Sequence, residues 1–268
     1  MSGLDDAAAD AVVAALEAAR LSGRQTRMPS ARCPGLTIDG AYTIQRRWTA
    51  ARIAAGARRI GYKVSFTTPG QQKALGTDRP AFGTLLDAMQ FAEGEPIPRG
   101  RMIAPRVEAE LAFVMGRRLA ASCSDADALA AADWAVPAIE IIDNRAQPRD
   151  VATGTTRAAI DIIADGGATA GVVLSRQRWR PDAAEFHRYG ATLRQNGVEV
   201  GGGGFDAIFG RPERALSWLA GELGALGAAL EPGDIVLTGS VNTPHPAASG
   251  DRFEADFGPF GNLALAFE

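Results

Sequence analysis

The sequence predicts an α+β fold, with a helical N-terminal region followed by a strand-rich remainder that few helices interrupt. Apolar residues recur at helical spacing through roughly the first 55 positions. From residue 59 the pattern changes to alternating or continuous apolar runs bounded by turn residues. These strands do not alternate regularly with long helices, which argues against a doubly wound or barrel α/β arrangement.

Residues 4–22 place Leu4, Ala8, Val12, Leu16 and Ala19 on one helical face, and Gly23 follows as a stop. A second helix is predicted to begin after Asp39 as N-cap and to run through Ile44 and Trp48 toward Gly56. Between them, residues 24–36 are polar and carry two prolines. "RIGYKVSF" from residue 59 reads as a strand, and "PGQQKALG" as a short helix between Pro69 and Gly76. Further strands are predicted at 107–115, 135–142, 169–174, 191–200, 233–239, 252–257 and 262–267, with Asn196-Gly197 as a hairpin turn. Helices are predicted at about 125–133 and 213–227, the latter with Leu216, Leu219, Leu223 and Leu226 as a core-facing stripe. The glycine run at 201–205 lacks the context of a nucleotide-binding loop and reads as a flexible loop.

With 268 residues, 46% of them apolar, 22% charged and a net charge of −3, the chain reads as a soluble globular protein. That charge gives no electrostatic case for nucleic acid or an anionic membrane as partner. No apolar run is long enough to span a bilayer. The acidic start, "MSGLDDAAAD", lacks the charged n-region and apolar core of a signal peptide, so a cytoplasmic location is expected. Cys33 and Cys123 are far apart and outside any metal-binding spacing, and His187 and His245 are the two histidines. A metal site in this chain must therefore lean on oxygen ligands.

Glu108 and Glu110 lie two residues apart in the strand "PRVEAELAFVM" and share a face. Glu140 sits between two isoleucines in "VPAIEIIDNR", where an unpaired charge costs several kcal/mol, ~3 or more, if buried. Three converging carboxylates make a cage for Mg²⁺ or Mn²⁺. Spacing alone does not separate this from two glutamates on the solvated face of a one-sided sheet. Arg106 or Arg145 can pair a core glutamate equally well. Lys63, in the apolar "IGYKVSF", is either an active-site cation or a strand-end lysine reaching water. The strand end "DIVLTGS" offers hydroxyl and backbone donors, a weak signal by itself.

These segments in this order, "IGYKVSFTTPGQQKALG", "FGTLLDAM", "PRVEAELAFVM", "PAIEIIDNR", "DIIADGGATAG", "GDIVLTGS" and "AASGDRFEADFGPFGNLALAF", resemble the 2-oxopent-4-enoate hydratases of the fumarylacetoacetase-like superfamily. The resemblance runs from "TIDGAYTIQ" to the end. It implies a curled, mixed β-sheet core holding a metal beside the helical region. On this reading residues 1–95 form the helical region with the first strand of the site, and residues 96–268 the metal-binding core. It implies Glu108, Glu110 and Glu140 as ligands of Mg²⁺ or Mn²⁺ and Lys63 as the active-site lysine. Thr238, Gly239, Ser240, Phe82 and Gly83 are implied near the substrate, and a homo-oligomer is implied as the assembly. The implied reaction adds water to a 2-hydroxy-2,4-dienoate bound through its carboxylate and 2-oxygen, giving a 4-hydroxy-2-oxo acid.

Two positions depart from the family pattern. Ala81 stands where an aspartate commonly precedes the aromatic-glycine pair, and Gly166 stands where asparagine is common, while Asp165 is kept. Ala81 keeps open the decarboxylation of a 2-oxo-3-enedioate, as in the similar 4-oxalocrotonate decarboxylases, and an inert metal-binding assembly partner. Arg145, Arg149 and Arg157 are candidates for a second carboxylate at the far end of the substrate.

Overall fold

The computed structural model describes residues 4–181 and 185–268. Its helices are α1 (Asp6–Ser22), α2 (Pro29–Arg32), α3 (Ile38–Ala54), α4 (Pro69–Ala74), α5 (Asp125–Ala130), α6 (Ala159–Ala164) and α7 (Arg214–Ala225). Its strands are β1 (Arg59–Ser65), β2 (Ala81–Leu86), β3 (Gln90–Phe91), β4 (Arg106–Met115), β5 (Leu119–Ala120), β6 (Ala132–Ile142) and β7 (Thr169–Leu174). They continue with β8 (Gly190–Gln195), β9 (Val198–Gly204), β10 (Ala229–Leu230), β11 (Ile235–Ser240), β12 (His245–Pro246), β13 (Arg252–Asp256) and β14 (Asn262–Ala266).

The α+β class holds, and the central sheet is mixed. Its order is β2-β1-β11-β4-β6-β7-β3, with β12 added beside β4. β1 runs parallel to β11 and β3 to β7, and the other pairs are antiparallel. A second, antiparallel sheet has the order β14-β13-β8-β9. The sequence boundary at residue 95 does not divide the main sheet, since β1, β2 and β3 are strands of it.

One core joins the main sheet, the second sheet and α7, with Phe113, Phe186, Phe205, Phe253 and Phe257 fully buried. Each such ring stabilises by about 1.5–3 kcal/mol relative to an exposed one. A second core packs α1, α3 and α6 together through Val12, Leu16, Ile44, Trp48 and Ile163. It places the N-terminal helices beside β1 and β2.

Local differences from the sequence reading have local causes. Thr37, not Asp39, caps α3, because its hydroxyl accepts the Gly40 N–H at 3.2 Å. Leu216, Leu219 and Leu223 are buried, but Leu226 lies beyond the end of α7 and is 48% exposed. The glycine run is not a loop, since Gly201–Gly204 continue β9 against β8. There the Val241 carbonyl comes so close that a Cβ at Gly203 would lie 2.5 Å from it. β2 and α6 were not expected. β2 is recruited by β1, and α6 is one short turn whose Asp161 carboxylate accepts the Ala158 and Ser30 N–H groups.

Candidate metal centre

Register brings the acids together. β4 pairs with β6 so that Glu108 faces Glu140, and β11 pairs with β4 so that Ser240 faces Glu110. One carboxylate oxygen from each of Glu108, Glu110 and Glu140 lies within 4.8 Å of the others. All three are buried, Glu140 completely. The strands that carry them have both faces covered, so the alternative of a solvated sheet face is excluded.

Each acid is held differently. Glu140 Oε1 accepts the Thr169 hydroxyl at 2.8 Å, while its Oε2 has no hydrogen-bond partner. Lys63 Nζ lies 3.2 Å from that Oε2 and donates to Ser65 Oγ at 2.8 Å. The partner of the core glutamate is thus Lys63, not Arg106 or Arg145. Glu110 Oε2 accepts the Gly239 N–H at 2.9 Å, where a register shift in β11 follows Leu237.

Burial, reinforced by the charge of Glu140, pushes the Glu108 carboxyl up to about 7 against the pull of Lys63. The same causes hold Glu110 well above the ordinary carboxylate range. Burial favours the neutral form of Lys63, but Glu140, then Glu108 and Glu110, outweigh it and raise its affinity for the proton. Three carboxylates against one ammonium leave a formal deficit of two positive charges, that of one divalent cation. The all-oxygen donor set suits a hard ion such as Mg²⁺ or Mn²⁺. Glu140 Oε2 takes no hydrogen bond besides its ion pair with Lys63 and is a ready ligand atom, so the residues fit such an ion.

These groups border a cavity of about 320 Å³ that Lys63, Ser65, Glu108, Glu110 and Ser240 help to line. Its far walls come from α4, α6 and the loops after β6, through Gln71, Leu75, Ile162, Asn144 and Arg157. The other residues named from sequence lie behind this first wall. Thr238 is buried with its hydroxyl on the Leu111 carbonyl, and Gly239 touches the site through its N–H. Phe82 stacks on Tyr42 with ring centroids 4.8 Å apart, away from the cavity. Gly83 pairs with Lys63 across β1 and β2, and a Cβ there would lie 2.3 Å from the Gly166 carbonyl. Its missing side chain lets the 166–168 segment close over the lysine stem, where Gly167 packs. Sequence reasoning passed over Ser65, Thr169 and Asn144. Ser65 was within reach of it, lying two residues from Lys63 on the same strand face.

Residues 70–267 match the model of the fumarylacetoacetate (FAA) hydrolase C-terminal family. The chain belongs to the fumarylacetoacetate hydrolase family. Within that family it is 36% identical to 2-oxo-hept-4-ene-1,7-dioate hydratase of Escherichia coli, over 94% of this chain and 95% of the relative. It is 33% identical to 2-keto-4-pentenoate hydratase of Burkholderia vietnamiensis, over 98% of each. The structure of 4-oxalocrotonate decarboxylase from Pseudomonas putida G7, complexed with magnesium and adipate, superposes with a TM-score of 0.93. That likeness covers 100% of both chains at 23% identity, and it establishes the shared fold.

The two departures from the family pattern now have physical settings. Gly166 adopts φ +67°, a left-handed conformation that glycine adopts freely and asparagine tolerates better than most residues. Ala81 starts β2 opposite Ser65 and is buried, so no acid is supplied at that place. Asp78, the nearest carboxylate upstream, is exposed. Asp165 is completely buried and takes the Arg145 N–H at 2.8 Å and its Nε at 2.7 Å. This pair ties the loop after β6 to the start of β7, beside Thr169 and Glu140.

Proposed function

We propose that this family member is a divalent-metal-dependent hydratase. It adds water to a 2-hydroxy-2,4-dienoate and yields a 4-hydroxy-2-oxo acid, as in the breakdown of aromatic compounds. The observation that carries this reading is the convergence of Glu108, Glu110 and Glu140 with Lys63, beside a cavity that Glu108, Glu110 and Lys63 line. The hydratases at 33–36% identity over nearly the whole chain support it.

Glu108, Glu110 and Glu140 hold Mg²⁺ or Mn²⁺. When bound, the ion supplies positive charge that stabilises an enolate oxygen. Lys63 and Ser65 form a hydrogen-bonded pair at the cavity wall, where the lysine holds a proton for the carbon end of the dienol as it ketonises. The resulting 2-oxo-3-enoate is electrophilic at C4. Water adds there and C3 takes up a proton. Ser240 and the Thr238-Gly239 backbone support the carboxylate end, with Phe82 and Gly83 fixing the wall behind Lys63. Among the described residues no helix is long and apolar enough to cross a membrane. We place the protein in the cytoplasm, as a homo-oligomer without nucleic-acid partners.

Ala81 favours one second reading, decarboxylation of a 2-oxo-3-enedioate, because loss of CO₂ generates the enolate with less acid–base work. The test incubates protein and Mg²⁺ with 2-hydroxypenta-2,4-dienoate and with 2-oxo-3-hexenedioate, following ultraviolet absorbance and CO₂. Loss of dienoate absorbance without CO₂ is expected. CO₂ from the diacid would favour the second reading, and no change with either would favour an inert metal-binding partner.

The raised carboxyls also set a pH dependence. Folded metal-free protein keeps protons on Glu108 and Glu110 between pH 4.5, where the unfolded carboxyls titrate, and about 7 for Glu108. It binds more protons than the unfolded chain in that window, so stability falls as pH rises through it. Ligands must shed those protons to bind a cation, so metal affinity rises over the same window. The increase in Tm on adding Mg²⁺ is therefore expected to be larger at pH 8 than at pH 5.5. Differential scanning calorimetry at the two pH values checks it, and an equal increase at both would count against these carboxyls as ligands.

A further inference from the structure

Of the three arginines considered for a distal carboxylate, two are committed elsewhere. Arg145 is locked to Asp165, and Arg149 is exposed, with its Nε on the Gly154 carbonyl. Arg157 is different. It is half-buried and lines the same cavity as Glu108 and Glu110, and so does Arg106. Arg157 Nη1 reaches the Ala146 carbonyl at 2.9 Å, and Arg106 Nη1 the Pro244 carbonyl at 3.4 Å. Among the described residues, neither guanidinium has a carboxylate within ion-pair distance.

The acids near Arg157 are already occupied. Asp161 caps backbone N–H groups and Asp165 holds Arg145. Burial pushes the Arg157 guanidinium below its ordinary value, with Asp165 and Asp161 opposing, and Arg106 adds like-charge repulsion. Two arginines on the wall of one cavity, neither ion-paired, form a site that an anion stabilises. Planar guanidinium donors match a carboxylate in particular.

We propose that Arg106 and Arg157 form a subsite for a second carboxylate, so that the preferred substrate is a dicarboxylate whose far acid binds here while its 2-oxo acid end binds at the glutamates. The subsite rests on the hydratase reading only for which end of the molecule reacts. A free small anion gains nothing from sharing this cavity with the glutamates. A diacid gains from both ends at once, because the second contact is made within an already bound molecule. Removing one charge-assisted contact of this kind weakens binding about 10- to 100-fold.

The experiment measures binding of 2-oxoheptanedioate and 2-oxopentanoate to Mg²⁺-loaded protein by titration calorimetry, for wild type, Arg157→Met and Arg106→Met. Wild type is expected to prefer the diacid at least tenfold, and each variant to reduce that preference about tenfold or more. Arg106 is exposed, so Arg106→Met tests the subsite even if Arg157→Met folds poorly. Equal affinity for the two acids in wild type would overturn the subsite. So would variants that weaken both acids alike, since the arginines would then serve the 2-oxo acid end. In parallel, turnover of 2-hydroxyhepta-2,4-diene-1,7-dioate and 2-hydroxypenta-2,4-dienoate is followed. A retained diacid preference without hydration of either would remove the reaction reading and leave the subsite standing.

Discussion

Glu108→Gln is expected to lower kcat in saturating Mg²⁺ by roughly 10³-fold, the scale of a lost contribution of about 4 kcal/mol to transition-state charge stabilisation. Glutamine keeps the shape of the side chain and removes one negative charge from the cage. A purely structural glutamate would give a different result, because stability moves in the opposite direction to activity. Metal-free wild type above pH 7 buries more negative charge than Lys63 can offset. Removing one carboxylate relieves that repulsion, so metal-free Glu108→Gln is expected to melt higher than metal-free wild type at pH 8. The rise in Tm on adding Mg²⁺ should shrink or disappear. Thermal unfolding with and without Mg²⁺, together with steady-state rates, checks all three effects. Normal turnover with an unchanged Mg²⁺ shift would remove Glu108 from the ligand set.

The carboxylates were legible in sequence because they break a pattern. Glu140 interrupts an apolar strand, and an interruption of that kind must have a partner. The identity of the partner was not legible. β1 and β6 are separated in the sheet by β11 and β4, three strand spacings or roughly 14 Å in a flat sheet. Lys63 meets Glu140 only because the sheet curls and both side chains are long. Local spacing favoured Arg106, whose Nη1 donates to the Pro244 carbonyl, and Arg145, which was taken by Asp165.

The same limit explains the misread elements. β2 is held in place by β1, and the glycines of β9 allow close backbone approach rather than looseness, so neither carries its cause in its own residues. Helices α1 and α7, whose apolar stripes are complete within one segment, were legible to within two residues at each end. In sequence Gly166 stands where asparagine is common. With φ +67° its backbone conformation is one that asparagine also adopts.

Lys63→Met separates the two roles that the lysine combines. It is the ammonium 3.2 Å from the completely buried Glu140. Removing one partner of a buried pair costs about 3–5 kcal/mol, because the other charge is left uncompensated. Metal-free Lys63→Met at pH 8 is therefore expected to lose stability on that scale in urea unfolding. At pH 5 the loss should be smaller, because Glu108 and Glu110 then hold protons and the site carries less negative charge. Saturating Mg²⁺ supplies the missing positive charge and should restore much of the stability. It should not restore turnover. If Lys63 moves a proton with Ser65, kcat stays about 10²- to 10⁴-fold down in the metal-loaded, fully folded variant, with KM little changed. Recovery of kcat together with stability would show that Lys63 only balances charge, and the proton step would then have to be assigned to another group on the cavity wall.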